Sequence, residues 1–161
     1  NFASDNLPEQ ITLINGRLEI RESGSRLIFA SKPDWQVNHY SIGDSNNDGI
    51  SELNLGFWRA GDYGIDLPYV KSRRDPQPGY HLYLYQYQPD HHNFKLVWGS
   101  STLNDPLYSF SVKPGFRSDN TPANLLTVET GSYPDFDSLG QIFPSESSDW
   151  IWNNWWFTKL D

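Results

Sequence analysis

Asp44-Ser45-Asn46-Asn47-Asp48-Gly49-Ile50-Ser51-Glu52 runs without a break into Leu53-Asn54-Leu55-Gly56-Phe57. The second half places Leu53, Leu55 and Phe57 at a period of two, the signature of a β-strand with one apolar face. The first half puts oxygen-bearing side chains at positions 1, 3, 5 and 9 of a tight loop, with glycine at position 6. Ca²⁺ is a hard cation that takes six to eight oxygens, and alternate residues of a curled loop aim such oxygens at one centre. The candidate ligands are Asp44, Asn46, Asp48 and Glu52, with the carbonyl of Ile50 as a further one. An EF-hand would carry its bidentate Glu at position 12, but that position here is Leu55. The carboxylate arrives at Glu52 instead, so the loop feeds a strand and not a helix. Asn, Asp and Gly also favour metal-free turns. Coordination is the preferred reading because the spacing and the glycine both agree with it.

The composition around this stretch agrees with a β fold. Aromatics make up 16% of 161 residues, and 11 prolines with 12 glycines punctuate the chain at short intervals. Runs of Ala, Leu, Glu and Lys that long helices need are missing, which leaves many short strands joined by turns. The length supports one domain with a real core. A formal net charge of −8 repels phosphate backbones, and Arg73-Arg74 is the only basic pair, so the expectation is no nucleic-acid partner. No apolar run is long enough to span a bilayer. The absence of cysteine excludes disulfides, thiolate metal sites and cysteine nucleophiles. Because it opens at Asn1 and contains no methionine, the sequence reads as a processed or excised piece, and the lack of a targeting segment carries no information. A Ca²⁺-type loop amid abundant Tyr, Trp, Asn and Ser favours an extracellular or cell-surface setting, where free Ca²⁺ keeps weak sites filled.

Three hairpin-like segments recur. They are Leu18–Ile20 to Leu27–Ser31 through a Glu22–Ser25 turn, Leu82–Tyr85 to Leu96–Ser100 through Gln88-Pro89-Asp90, and Trp150–Trp152 to Trp155–Phe157 through Asn153-Asn154. Ile20, Leu84 and Trp152 fall at intervals of 64 and 68 residues. Between the hairpins, Tyr40-Ser41-Ile42 and Leu53–Gly56 match Phe110-Ser111-Val112 and Leu125–Val128. Each unit therefore reads as four antiparallel strands, and four-stranded units at this period suggest blades of a β-propeller. The expected organisation is a single all-β repeat domain. Residues 1–31 form an N-terminal cover and half blade, 36–101 a blade with the metal loop, and 105–161 a degenerate blade.

The loop between two strands resembles the DxDxDGxxD/E loop of FG-GAP and VCBS repeats, the Ca²⁺-binding blades of integrin α-subunit propellers and of many secreted bacterial proteins. The segments Leu96-Val97-Trp98-Gly99-Ser100-Ser101 and Trp152-Asn153-Asn154-Trp155 are similar to the hairpin portion of such repeats. The resemblance spans about Leu18 to Phe157 and implies a partial β-propeller with bound Ca²⁺. Two departures stand out. No literal Phe-Gly-Gly-Ala-Pro occurs, the nearest being Gly56-Phe57, and the second unit carries Lys113–Asn124 without alternating carboxylates. One Ca²⁺ site is therefore expected. Two and a half blades are fewer than a closed propeller contains. The chain is then an excised part of a longer propeller, a self-associating segment, or a curved stack with covered ends.

The C-terminal hairpin is the other concentration of chemistry. With a two-residue Asn153-Asn154 turn, Trp152 pairs with Trp155 and Trp150 with Phe157, all on one face. Such a face serves packing between units or forms a ligand surface for a glycan or protein partner, and packing is preferred because aromatics dominate such cores. Two long excursions, 59–79 and 131–149, hold Asp62, Asp66 and Asp75, and Asp135, Asp137, Glu146 and Asp149. They give the alternative reading, a polysaccharide-active enzyme or an accessory piece of one. Against it, no His, Ser or carboxylate set forms a catalytic constellation. The four histidines, His39, His81, His91 and His92, show no zinc spacing. The resulting expectation is a non-catalytic, Ca²⁺-stabilised module that binds protein or glycan.

Overall fold

The computed structural model describes residues 8–22, 26–61, 78–133 and 144–160. These residues form an all-β fold of three antiparallel sheets. In the first sheet, β1 (Gln10–Ile14), β2 (Arg17–Arg21) and β3 (Leu27–Ala30) lie in chain order. The second contains β4 (Gln36–Gly43), β5 (Glu52–Ala60), β6 (Pro78–Gln88) and β7 (Asn93–Gly99). The third contains β8 (Leu107–Phe116), β9 (Pro122–Gly131), β10 (Pro144–Asn153) and β11 (Trp156–Lys159). Among the described residues the sheets do not close into a barrel or ring, and the one helical piece is the 3₁₀ turn Pro89–His91. No helix among them is long and apolar enough to cross a membrane.

Two cores lie between the three sheets, and strand alternation assigns residues to them. On β5 and β6, Leu53, Leu55, Phe57, Tyr83 and Tyr87 join Leu18, Ile20 and Ile28 of the first sheet. The intervening Trp58, Tyr80, Leu82 and Leu84 join Leu107, Phe110, Leu126 and Val128 of the third. The middle strands are thus buried on both faces. Trp35 stacks on Phe57 with ring centroids 3.9 Å apart, closing the first core. Each such side chain contributes about 1.5–3 kcal/mol by leaving water. On β7 a bulge leaves Val97 without a partner, so that Leu96 faces the first core and Trp98 the second.

Three local differences from the sequence reading have plain causes. Residues before Gly16 are not simply a cover, because Gln10–Ile14 is a strand of the first sheet. Asn15 (φ 52°) and Gly16 (φ 75°) both sit in the left-handed region, as a two-residue type I′ hairpin requires. The Lys113–Asn124 loop is mostly strand, since β8 runs to Phe116 and β9 starts at Pro122. The C-terminal hairpin turns one residue later than expected, at Asn154-Trp155. Asn154 takes the left-handed conformation (φ 61°) and Asn153 stays in the ladder opposite Trp156. Trp152 therefore pairs with Phe157, Trp150 pairs with Lys159, and Trp155 moves into the turn.

The second and third sheets meet along β4 and β8. Tyr80 Oη donates to Asn38 Oδ1 at 2.7 Å, Asn38 Nδ2 donates to Leu107 O at 3.2 Å, and His39 Nε2 lies 2.9 Å from Phe110 O. Gly56 makes this approach possible, because a Cβ there would stand 2.2 Å from Tyr80 Oη and 2.7 Å from a Phe110 ring carbon. Gly56→Ala is expected to destabilise the protein by about 1–3 kcal/mol, read as a lowered urea midpoint with an unchanged slope.

Candidate metal centre

The loop between β4 and β5 is built from its own carboxylates. Asp44 accepts the N–H groups of Asp48 at Oδ1 and of Gly49 at Oδ2, both at 3.0 Å. Asp48 Oδ1 accepts Ile50 N–H at 2.8 Å, while Asn46 Oδ1 accepts Asp48 N–H at 2.9 Å. Asn47 (φ 62°) and Gly49 (φ 89°) supply the left-handed turns that fold the segment back. Asp44, Asp48 and Glu52 each offer an oxygen, and these oxygens lie within 4.8 Å of one another. No other group of three such ligands gathers among the described residues.

The three carboxylates differ in exposure. Asp48 is exposed, Asp44 half-buried, and Glu52 wholly buried at the first position of β5. Glu52 Oε2 accepts the Ser45 N–H at 2.8 Å and the Asn46 N–H at 3.3 Å, and lies 3.0 Å from Ser45 Oγ. Gln86 of β6, opposite Glu52 in the ladder, bridges two carboxylates through Nε2, 2.7 Å from Asp48 Oδ2 and 2.8 Å from Glu52 Oε1. Burial raises the Glu52 carboxyl above its ordinary value, against the lowering effect of Gln86 and Ser45. Ser45 Oγ also lies 2.7 Å from Asn54 Oδ1, so its one proton serves either Glu52 or Asn54.

Three carboxylate oxygens converge, the donor type a hard divalent cation takes, and the Gln86 and Asn46 amide nitrogens are hydrogen-bonded to the same carboxylates. Asp44, Asp48 and Glu52 would hold it, with Asn46 adjoining Asp48. The Ile50 side chain is 53% exposed, as suits a residue whose contribution would come from its carbonyl. Sequence reasoning missed Gln86, Ser45 and Asn54. Gln86 is found only through the β5–β6 register, across the segment 61–77.

The other candidates divide clearly. Trp150, Trp152 and Phe157 pack into the second core against Trp98, with Trp98–Trp152 and Trp98–Phe157 centroids at 5.6 and 5.7 Å. Trp155 is left 74% exposed at the turn and Trp156 57% exposed on the opposite face. Asp149 accepts from Thr127 Oγ1 at 2.6 Å, and Glu146 pairs with Lys159. Asp62, Asp66, Asp75, Asp135 and Asp137 lie outside the described residues. His81 is fully buried between the carbonyls of Ser100 and Gly61, 3.1 Å and 3.0 Å from its ring nitrogens. His92 Nδ1 lies 3.0 Å from Glu22 Oε1, which also accepts Tyr87 Oη at 2.5 Å. This contact ties the first sheet to the second. Burial and the Glu22 carboxylate push the Tyr87 phenol up to about 12.

No family model, curated protein or solved structure matches this chain.

In the metal-free protein, a Glu52 carboxyl raised by burial binds its proton more tightly folded than unfolded. Its contribution to stability is therefore complete below the ordinary value of 4.5 and is lost as pH rises through the raised value. Glu22 and Asp119, held low by hydrogen bonds, act in the opposite sense. The difference between wild type and Glu52→Gln isolates the group. In EGTA, Glu52→Gln is expected to gain stability relative to wild type as pH rises above 4.5, measured by urea unfolding across a pH series.

Proposed function

We propose that this chain is a non-catalytic, Ca²⁺-stabilised β-repeat module of the FG-GAP/VCBS kind, part of a propeller-like array that presents a surface to a protein or glycan outside the cell. The observation that carries the reading is the convergence of Asp44, Asp48 and Glu52 within 4.8 Å on a loop between two strands. Three like charges so close repel one another, and a divalent cation offsets that repulsion while fixing the strand-to-strand turn. Two successive four-stranded sheets, each built from strands in chain order, support the blade-like arrangement. Trp155 and Trp156 are the aromatic rings that the C-terminal hairpin leaves to solvent, so partner contact is assigned to that hairpin tip and not to the packed face of Trp150, Trp152 and Phe157.

Ca²⁺ at a concentration one hundred times its dissociation constant stabilises the folded chain by about 2.7 kcal/mol. A domain of this length then melts several degrees higher than in EDTA. Asp48→Ala and Asp44→Ala are expected to abolish both the rise and the calorimetric binding signal. A wild-type melting curve indifferent to Ca²⁺ and EDTA would refute the reading.

A further inference from the structure

The first sheet is one strand short of the other two. Its strand β3 sits beside β7, where Phe29 meets Phe94 with ring centroids 5.5 Å apart. The other edge, β1, therefore lies toward β4. Asn15-Gly16 is a two-residue turn, so Ile14 and Arg17 form the first hydrogen-bonded pair of the hairpin and Thr12 with Glu19 the next. The N–H and C=O groups of Ile11 and Leu13 then point away from β2, to the open side of β1. Leu18, opposite Leu13, agrees with this phase, because its own N–H and C=O bond to Ser31 on the β3 side.

Natural edge strands are blunted by charge, proline, bulges, brevity or cover. Among the described residues, β4 and β8 cover one another at the seam. Strand β7 has Lys95, a bulge at Val97 and β3 beside it, and β11 is four residues long with Lys159 at its end. Strand β1 has none of these devices. Gln10-Ile11-Thr12-Leu13-Ile14 carries no charge and no proline, and pairs with β2 without a register shift. The sheet beneath is also wider than its cover. On β4, Tyr40 and Ile42 stand opposite Leu55 and Leu53 and share their face, toward the first sheet. Leu53 and Leu55 are fully buried, whereas Tyr40 is half-buried and Ile42 is 43% exposed.

We propose that the open edge of β1 takes a fourth strand from a partner polypeptide, an extended segment with apolar residues at alternate positions and no acidic ones. Its main chain pairs with Ile11 and Leu13. Its apolar side chains continue the row of Ile11 and Leu13 and settle over Tyr40 and Ile42. The formal net charge of −8 disfavours an acidic segment. This surface is separate from the Asp44 loop and from Trp155 and Trp156, and it stands without the cation reading.

The test is residue-resolved amide hydrogen exchange in the full chain, with the synthetic peptide Gln-Val-Asn-His-Tyr-Ser-Ile-Gly, the sequence of β4, as probe. That strand holds the corresponding first place in the second sheet. Without peptide, Ile11 and Leu13 are expected to exchange fast while Thr12, paired with Glu19, is protected. Peptide at ten times its dissociation constant is expected to slow Ile11 and Leu13 about tenfold, in preference to Thr12. The same peptide with proline in place of its tyrosine is expected to have no effect. Ile42→Ser, a change at an exposed position, keeps the fold and weakens peptide binding roughly fivefold. No slowing by the peptide overturns the proposal, as does equal slowing at Ile11, Thr12 and Leu13. Binding unchanged in Ile42→Ser overturns the placement over β4. Slow exchange at Ile11 and Leu13 before peptide is added also overturns the proposal. If dilution speeds that exchange, a second copy takes the edge; if it does not, the chain fills the edge itself.

Discussion

The two-sided burial of β5 and β6 is the constraint from which the remaining structure follows. A strand in the middle of a sheet satisfies its main chain through its neighbours, but its side chains need cover above and below. Leu53, Leu55 and Phe57 find it in the first sheet, while Trp58, Tyr80, Leu82 and Leu84 find it in the third. Removing either outer sheet exposes one row of this pair to water. The outward faces of the stack differ in kind. Arg17, Glu19 and Arg21 form a charged ladder on the first sheet, with contacts of 3.1 and 3.0 Å. On the third sheet, Ser109 with Glu129 and Thr127 with Asp149 pair side by side, next to the buried Leu125 and Ile151.

The same strand pair explains why a carboxylate is buried at all. Glu52 opens β5, so its backbone position is set by the ladder and its side chain is drawn beneath the loop. Ser45, Asn46 and Gln86 supply donors that replace much of its lost hydration, yet burial still outweighs them and raises the carboxyl. The loop thus holds a buried carboxyl whose ionised form is costly.

Much of this was legible in the sequence, and the parts that were not share a cause. The alternation of Leu53, Leu55 and Phe57 and the paired apolar runs around Pro89 mark strands through local pattern alone. The carboxylates of the Asp44 loop come together because they are close in the chain. Gln86 escaped because its nearness to Glu52 depends on a register fixed across the intervening segment 61–77. Asn47 escaped because its partner Asn124 belongs to another sheet, 77 residues away. The shifted C-terminal turn is a subtler failure. Asn153 and Asn154 are equally good turn formers, and the choice falls to the packing of Trp152 and Phe157 against Trp98.

In every sheet, neighbouring strands are also consecutive in the chain. Apart from the connections at 61–77 and 132–143, each hairpin closes over a short distance, so the entropy of loop closure is small for an all-β chain. Pairing of this local kind needs no prior docking of one sheet on another. The residues at the docking seam, Gly43 against Val112, Gly56 against Phe110, and Asn47 on Asn124, make their contacts between sheets. If docking follows pairing, their influence falls on the escape from the native state, and the seam between the second and third sheets sets the lifetime of the folded molecule while the hairpins set how quickly it is made.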